Sequence, residues 1–306
     1  MNRLALISVL LLAAACSPAE QSTPAATYGA QSTRMQIYTV NYPLAWMATE
    51  LVGDIADVVL PVPDDEDPAF WQPDVDAVLA YQQADLVLLN GANYARWLAK
   101  VSMPTRKLVD TSAAYGERLL AVTASPLHSH GPAGEHSHGE LAFTTWLDLD
   151  LARQQLQAVA AALSRHMPQA QAEIMARALA VEQELMRMDS QLSVLGQALD
   201  SAPLLYSHPV YQYLQQRYQL NGKALHWEPD QAPGAEQWQE LDALLQAHPA
   251  RIMLWEAEPL PTVRAQLLKR GITVVVFQPM GNRPLEGDFT SLMAENIAGL
   301  EGVAPR

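Results

Sequence analysis

Apolar side chains recur at helical spacing through residues 148–199: Leu151, Leu156, Val159 and Leu163, then Ile174, Leu179, Leu185, Met188, Leu192 and Leu195. The intervening positions are rich in Ala, Gln, Met and Glu, which favour helix. Pro168 interrupts the run, so the spacing predicts two helices that break or kink there. Asp148 or Asp150 supplies the N-cap, and Asp200-Ser201-Ala202-Pro203 the stop. On either side the pattern changes to short apolar runs separated by helical ones. Upstream, strands are expected at 35–40, 57–62 and 85–90, with shorter candidates at 108–110 and 119–122. Helices are expected after Pro43, at 74–83 and at 94–101. Downstream, strands are expected at 203–207, 225–228, 251–255 and 272–277, and helices at 210–218, 236–247 and 258–270. Strands alternating with helices of this length pair in parallel. The fold class is therefore α/β: two lobes, 35–147 and 201–306, each with a mainly parallel sheet flanked by helices, joined by a long helical brace, 148–200. A cleft between lobes is a common place for a ligand.

The N-terminus falls outside this pattern. Arg3 precedes an apolar run from Leu4 to Leu12, and Ala13-Ala14-Ala15 leads to Cys16, the only cysteine of the chain. This is the layout of an export signal, 1–16, with cleavage before Cys16, and it resembles a bacterial lipoprotein signal that places a lipid on Cys16. Residues 17–34 are Ser, Thr, Ala, Pro, Gln and Gly for the most part, a flexible tether. No other segment reaches the ~18 apolar residues of a membrane helix. A net charge of −14 argues against nucleic acid as a partner.

One segment has an evident chemistry of its own. Between Ser125 and Glu140 the chain reads SPLHSHGPAGEHSHGE, with His128, His130, His136 and His138 around a Gly/Pro-rich turn. Neutral imidazoles of this kind suit Zn²⁺, Cu²⁺ or Ni²⁺. Short His-rich tracts are metal-binding by composition.

The order of motifs then becomes specific. A strand leading into an acidic proline loop (Asp67-Pro68-Ala69-Phe70-Trp71-Gln72-Pro73), a helix, and ADLVLLNGANYARWL resemble the metal-binding family of solute-binding proteins, the extracytoplasmic receptors of ABC importers for zinc and manganese. Trp146-Leu147-Asp148 and YSHPVYQYLQQRYQL continue the similarity, which runs from about Met35 to Leu300. The resemblance implies four metal ligands, and here they fall on Ala69, Thr144, His208 and Gln278. Only His208 is a strong donor, because zinc is normally held by Cys, His and carboxylate. Glu256 matches a family glutamate at a strand end that surrounds the site. His-rich loops occur at this place in zinc-binding members, where they collect or pass on metal.

Three accounts of the missing ligands are open. In one, the chain is still a metal receptor, with Zn²⁺ favoured and Mn²⁺ or another divalent transition metal possible. Because a lone histidine does not hold zinc tightly, His208 and the four loop histidines are then expected to act on one ion, with Glu66 or Asp67 adding charge. In the second, the cleft binds another small solute or a chelated metal, lined by Trp71, Trp146, Trp227 and Tyr211. In the third, the scaffold serves an enzyme or a structural lipoprotein, yet no nucleophile elbow, phosphate loop or H-E-x-x-H helix is present. The first account predicts an exported periplasmic or cell-envelope lipoprotein, monomeric and not an enzyme. It would be a metal-ion receptor with the membrane permease of an ABC importer as partner.

Overall fold

The structure, a computed structural model, describes residues 34–122, 128–129, 135–136 and 141–304. Each lobe is built on four parallel strands. The first holds β1 (Met35–Thr39), β2 (Ala56–Val59), β3 (Leu86–Leu89) and β4 (Leu108–Asp110) in the order β2-β1-β3-β4, with α1 (Tyr42–Val52) and α2 (Val75–Gln83) between strands. Two short strands, β5 (His128–Ser129) and β6 (Glu135–His136), pair antiparallel and set His128 opposite His136 in register.

Two helices, α3 (Leu149–His166) and α4 (Gln171–Leu199), lead to the second lobe. Its strands are β7 (Pro203–Tyr206), β8 (Asn221–Ala224), β9 (Ile252–Trp255) and β10 (Thr273–Val276), in the order β10-β9-β7-β8. The helices α5 (Gln212–Tyr218), α6 (Ala235–Ala247) and α7 (Pro261–Lys269) connect them, and α8 (Phe289–Glu301) closes the chain. Both sheets therefore share one plan. The chain leaves the first strand to one side and then crosses to the other, so each sheet has a switch point, between β1 and β3 and between β7 and β9. In open parallel sheets the crevice at such a point, beyond the strands' C-terminal ends, is where ligands bind.

The two faces of the second sheet bury different sets. Tyr206, Leu254 and Val275 join the large core that also contains the first lobe and the helical pair, while Leu205, Met253 and Val274 join a smaller core under α6 and α7. This is the alternation of a strand buried on both faces.

The break expected at Pro168 is present: a 3₁₀ turn (Pro168–Ala170) folds α4 back on α3, and Glu182 accepts from Arg153 (2.9 Å) and Gln157 (3.0 Å) across the pair. Other expectations are corrected. Leu179, placed in the apolar stripe, is exposed. The 94–101 helix is a 3₁₀ turn, Arg96–Lys100, and 119–122 makes only an isolated bridge, Ala121 to Leu141. The strand expected at 225–228 lies earlier, at Asn221–Ala224, where a polar edge strand shows no apolar alternation. Helix α8 was not anticipated.

Candidate metal centre

Four positions answer to the ligand pattern, and the structure uses them differently. Ala69 is buried in a turn in which its own N–H donates to the Asp67 carboxylate (2.9 Å). Thr144 is buried and its hydroxyl donates to the Val210 carbonyl (2.6 Å), a bond from one lobe to the other. The backbone N–H and C=O of Gln278 are both held by the Asn296 amide (2.9 Å each). His208 alone offers a strong donor.

His208 stands at the second sheet's switch point. It follows Ser207, whose N–H donates to the Leu254 carbonyl (2.9 Å) and so extends the pairing of β7 with β9 by one residue. Beyond the end of β9 the next residue in register is Glu256, directly after Trp255, whose carbonyl accepts from Phe277 (2.8 Å). On the other side, the N–H groups of Leu225 and Trp227 donate to Tyr206 and Ser207, which carries His226 and Glu228 to the same edge. The His208 side chain is 9% exposed, its Nδ1 is 3.6 Å from Glu228 Oε1, and its ring centroid is 5.9 Å from that of His226.

The electrostatics of this edge are acidic. Burial, then the charges of Asp67 and Glu228, push the Glu256 carboxyl up to about 8. Asp67 comes from the first lobe's proline loop and Glu228 and Glu256 from the second, so carboxylates of both lobes converge on one cleft. Imidazole and carboxylate are zinc donors. Among the described residues no group of three or more His, Cys, Asp or Glu side chains stands close enough together to hold a metal ion as placed.

The first sheet's switch point holds amides instead. Asn41 donates to Asn90 (3.1 Å), Gln155 donates to Asn90 (3.2 Å) and Thr111 (3.1 Å), and Asn90 donates to the Phe143 carbonyl (2.9 Å). This network is buried and ties β1, β3 and α3 together. Trp71, Trp146, Trp227 and Tyr211 are buried as well, with Trp146 Nε1 donating to Pro279 and the Tyr211 hydroxyl to Phe277. His130, His138 and Cys16 lie outside the described residues, as do the side chains of His128 and His136.

His226 and Glu228 were missed in the sequence. The signal was there: two donors at i and i+2 in His226-Trp227-Glu228 fall on one side of an extended chain.

Two parallel sheets of one plan, a helical pair joined to both, and an imidazole and carboxylates gathered at a switch point define a two-lobed solute-binding protein. The chain belongs to the family described as the periplasmic component A of zinc-uptake complexes, whose model matches residues 37–303. It is 24% identical over 280 residues to the zinc-binding lipoprotein AdcA of Streptococcus pneumoniae, covering 88% of this chain and 55% of that protein. It thus spans about half the length of that curated relative. It is 22% identical over 249 residues to the high-affinity zinc uptake system protein ZnuA of Bacillus subtilis, covering 80% of this chain and 77% of that one. Among solved structures, the metal-dependent lipoprotein YcdH of Bacillus subtilis superposes with a TM-score of 0.76 at 19% identity, over 89% of this chain and 100% of that one. The Zn(II)-bound ZnuA-like domain of Streptococcus pneumoniae AdcA gives 0.75 at 20%, with the same coverage. At these identities the superpositions establish the fold.

Proposed function

We propose that this chain is an extracytoplasmic receptor that takes a divalent metal ion, zinc by preference, into the cleft at His208 and Glu256 and delivers it to the permease of an ABC importer. The observation that carries this reading is the buried His208 imidazole at the switch point, with Glu228 beside it and the Glu256 carboxyl in register on the next strand. The names of the relatives support zinc as the cargo. The histidines of 125–140, His128, His130, His136 and His138, act on the same ion as His208.

The test is calorimetry with Zn²⁺ on the mature protein. One tight site is expected. His208→Ala and replacement of the four loop histidines by Ser should each weaken that step, and the double change should cost less than the sum, as coupled groups do. Additive losses at two separate sites would overturn the shared ion. An unchanged tight step in His208→Ala would move the reading to a cleft that binds another solute or a chelated metal.

The same reading places the protein in the periplasm or cell envelope, held by a lipid on Cys16, with residues 17–34 as tether. Cys16→Ser should move it from the membrane to the soluble extracytoplasmic fraction. A wild-type protein already found in the soluble fraction would overturn the anchor.

A further inference from the structure

The family pattern leaves a zinc ion with one strong ligand here, His208, and two other donors lie against it. His208 Nδ1 and Glu228 Oε1 are 3.6 Å apart. That is longer than an N–H···O hydrogen bond, which runs to about 3.2 Å. It is close to the edge of a tetrahedron of donors about zinc, roughly 3.4 Å for metal–ligand distances of ~2.0–2.2 Å. The His226 ring meets His208 edge to face, with 5.9 Å between centroids. Two imidazoles on one tetrahedral zinc place their centroids roughly 5–5.5 Å apart, so a movement of about 0.5–1 Å closes the gap.

These side chains have no common origin in the usual ligand positions. His226 and Glu228 follow β8, the edge strand, and flank Trp227, which is locked in the smaller core against Trp238 and Trp255. With Trp227 fixed, the residues on either side of it are aimed together toward His208. Glu256, the residue after β9, stands on the opposite side of His208 by the register of β7 with β9.

We propose that His226 and Glu228 are metal ligands, so that the ion is seated by His208, His226, Glu228 and Glu256 along the C-terminal edge of the second sheet, and needs no donor at the first-lobe ligand positions Ala69 and Thr144. This restores a zinc-type set of two imidazoles and two carboxylates where Ala69, Thr144 and Gln278 supply none. The inference rests on the receptor reading above and names the ligands of that site.

The experiment uses the mature protein and Zn²⁺ alone. Glu228→Gln and His226→Ala should each weaken zinc binding by more than ~10-fold, the lower end of what even outer partners of a site cost. X-ray absorption of the zinc-loaded His226→Ala protein should show one imidazole fewer per zinc than wild type, a readout that a positioning role would leave unmoved. Far-UV circular dichroism checks the fold of each variant, and His226→Asn replaces the alanine variant if that one is unfolded. Tight wild-type binding with both variants within about twofold and an unchanged imidazole count overturns this ligand set while leaving the receptor standing. A wild-type protein that binds no zinc overturns both.

Discussion

Gly222 sets how closely the edge strand approaches Tyr206, and through it the edge that carries the candidate ligands. A Cβ at this position would stand 2.1 Å from the Tyr206 ring, so the strand or the ring must shift. Gly222→Ala should therefore destabilise the fold by about 1–3 kcal/mol, as overpacking does, read as a lower urea midpoint. An unchanged midpoint would show that the Tyr206 ring is not held against β8. The same position explains what was illegible at this scale. Asn221, Gly222 and Lys223 carry no apolar alternation, because an edge strand needs little and a glycine here serves a neighbour's ring. With β8 displaced in the reading, His226 and Glu228 appeared as members of a strand instead of its exit. By contrast, Ala69, Thr144 and Gln278 were legible as weak or absent donors from residue type alone. The structure adds that the Thr144 hydroxyl has other work, donating to Val210.

The helical pair shows which features of an element spacing reveals. Period and proline marked out both helices, and Asp148 caps α3 by accepting from Asp150 N–H (3.0 Å) and Leu151 N–H (3.2 Å). The fold-back at Pro168 was not legible, since it depends on pairings such as Arg153 with Glu182 that no local period encodes. Leu179 comes five residues after Ile174, roughly 140° round the helix, so it faces solvent while Ile174, Ala178, Leu185, Met188, Leu192 and Leu195 keep to one buried face. The entry to α3 is also an ionic junction. Arg118 reaches Asp148 (3.0 Å) and Asp150 (2.6 Å), and Arg217 of α5 holds Asp189 of α4 (2.6 Å). The hydrogen bond from Arg118 holds the Asp150 carboxyl below the usual aspartate range. A carboxylate so depressed adds stability above its unfolded value, and that stability is lost as pH falls through its folded value. Asp150→Asn should then cost about 0.5–1 kcal/mol near neutral pH, modest because the pair is partly solvated. The difference should vanish in acid below the aspartate range. Urea titrations at the two pH values measure it, and a cost that persists in acid would assign Asp150 a packing role.

For the whole molecule, alternation of strands and helices was enough to specify two parallel sheets, but not how the lobes meet. Their junction is made by bonds between residues distant in sequence. Trp146 Nε1 donates to Pro279 (2.6 Å), the Asn282 amide to Pro63 (2.6 Å) and Glu66 (2.8 Å), and Tyr42 N–H to Gly281 (2.9 Å). Trp46 of α1 stacks on Phe289 of α8 at 4.6 Å, and α4 packs on α1 at one side and on α5 and α8 at the other. One apolar core runs through all of these. A hinge needs a few residues free to absorb a change in backbone angles, and here the connection is a 29-residue helix packed on both lobes. If the ion is seated on the edge of the second sheet, loading it requires local movement at the cleft mouth and no swing of one lobe on the other. Small-angle scattering of the mature protein with and without Zn²⁺ should then give radii of gyration that agree within about 0.5 Å, whereas a fall beyond about 1 Å would establish hinge closure. Hydrogen exchange gives the complementary prediction. Zinc should protect the amides after β7, β8 and β9, around His208, His226 and Glu256, and leave the first sheet's switch point at Asn41 and Asn90 unchanged. Protection appearing equally at both switch points would mean that the ion bridges the lobes, and the seat on the second sheet's edge would have to be abandoned.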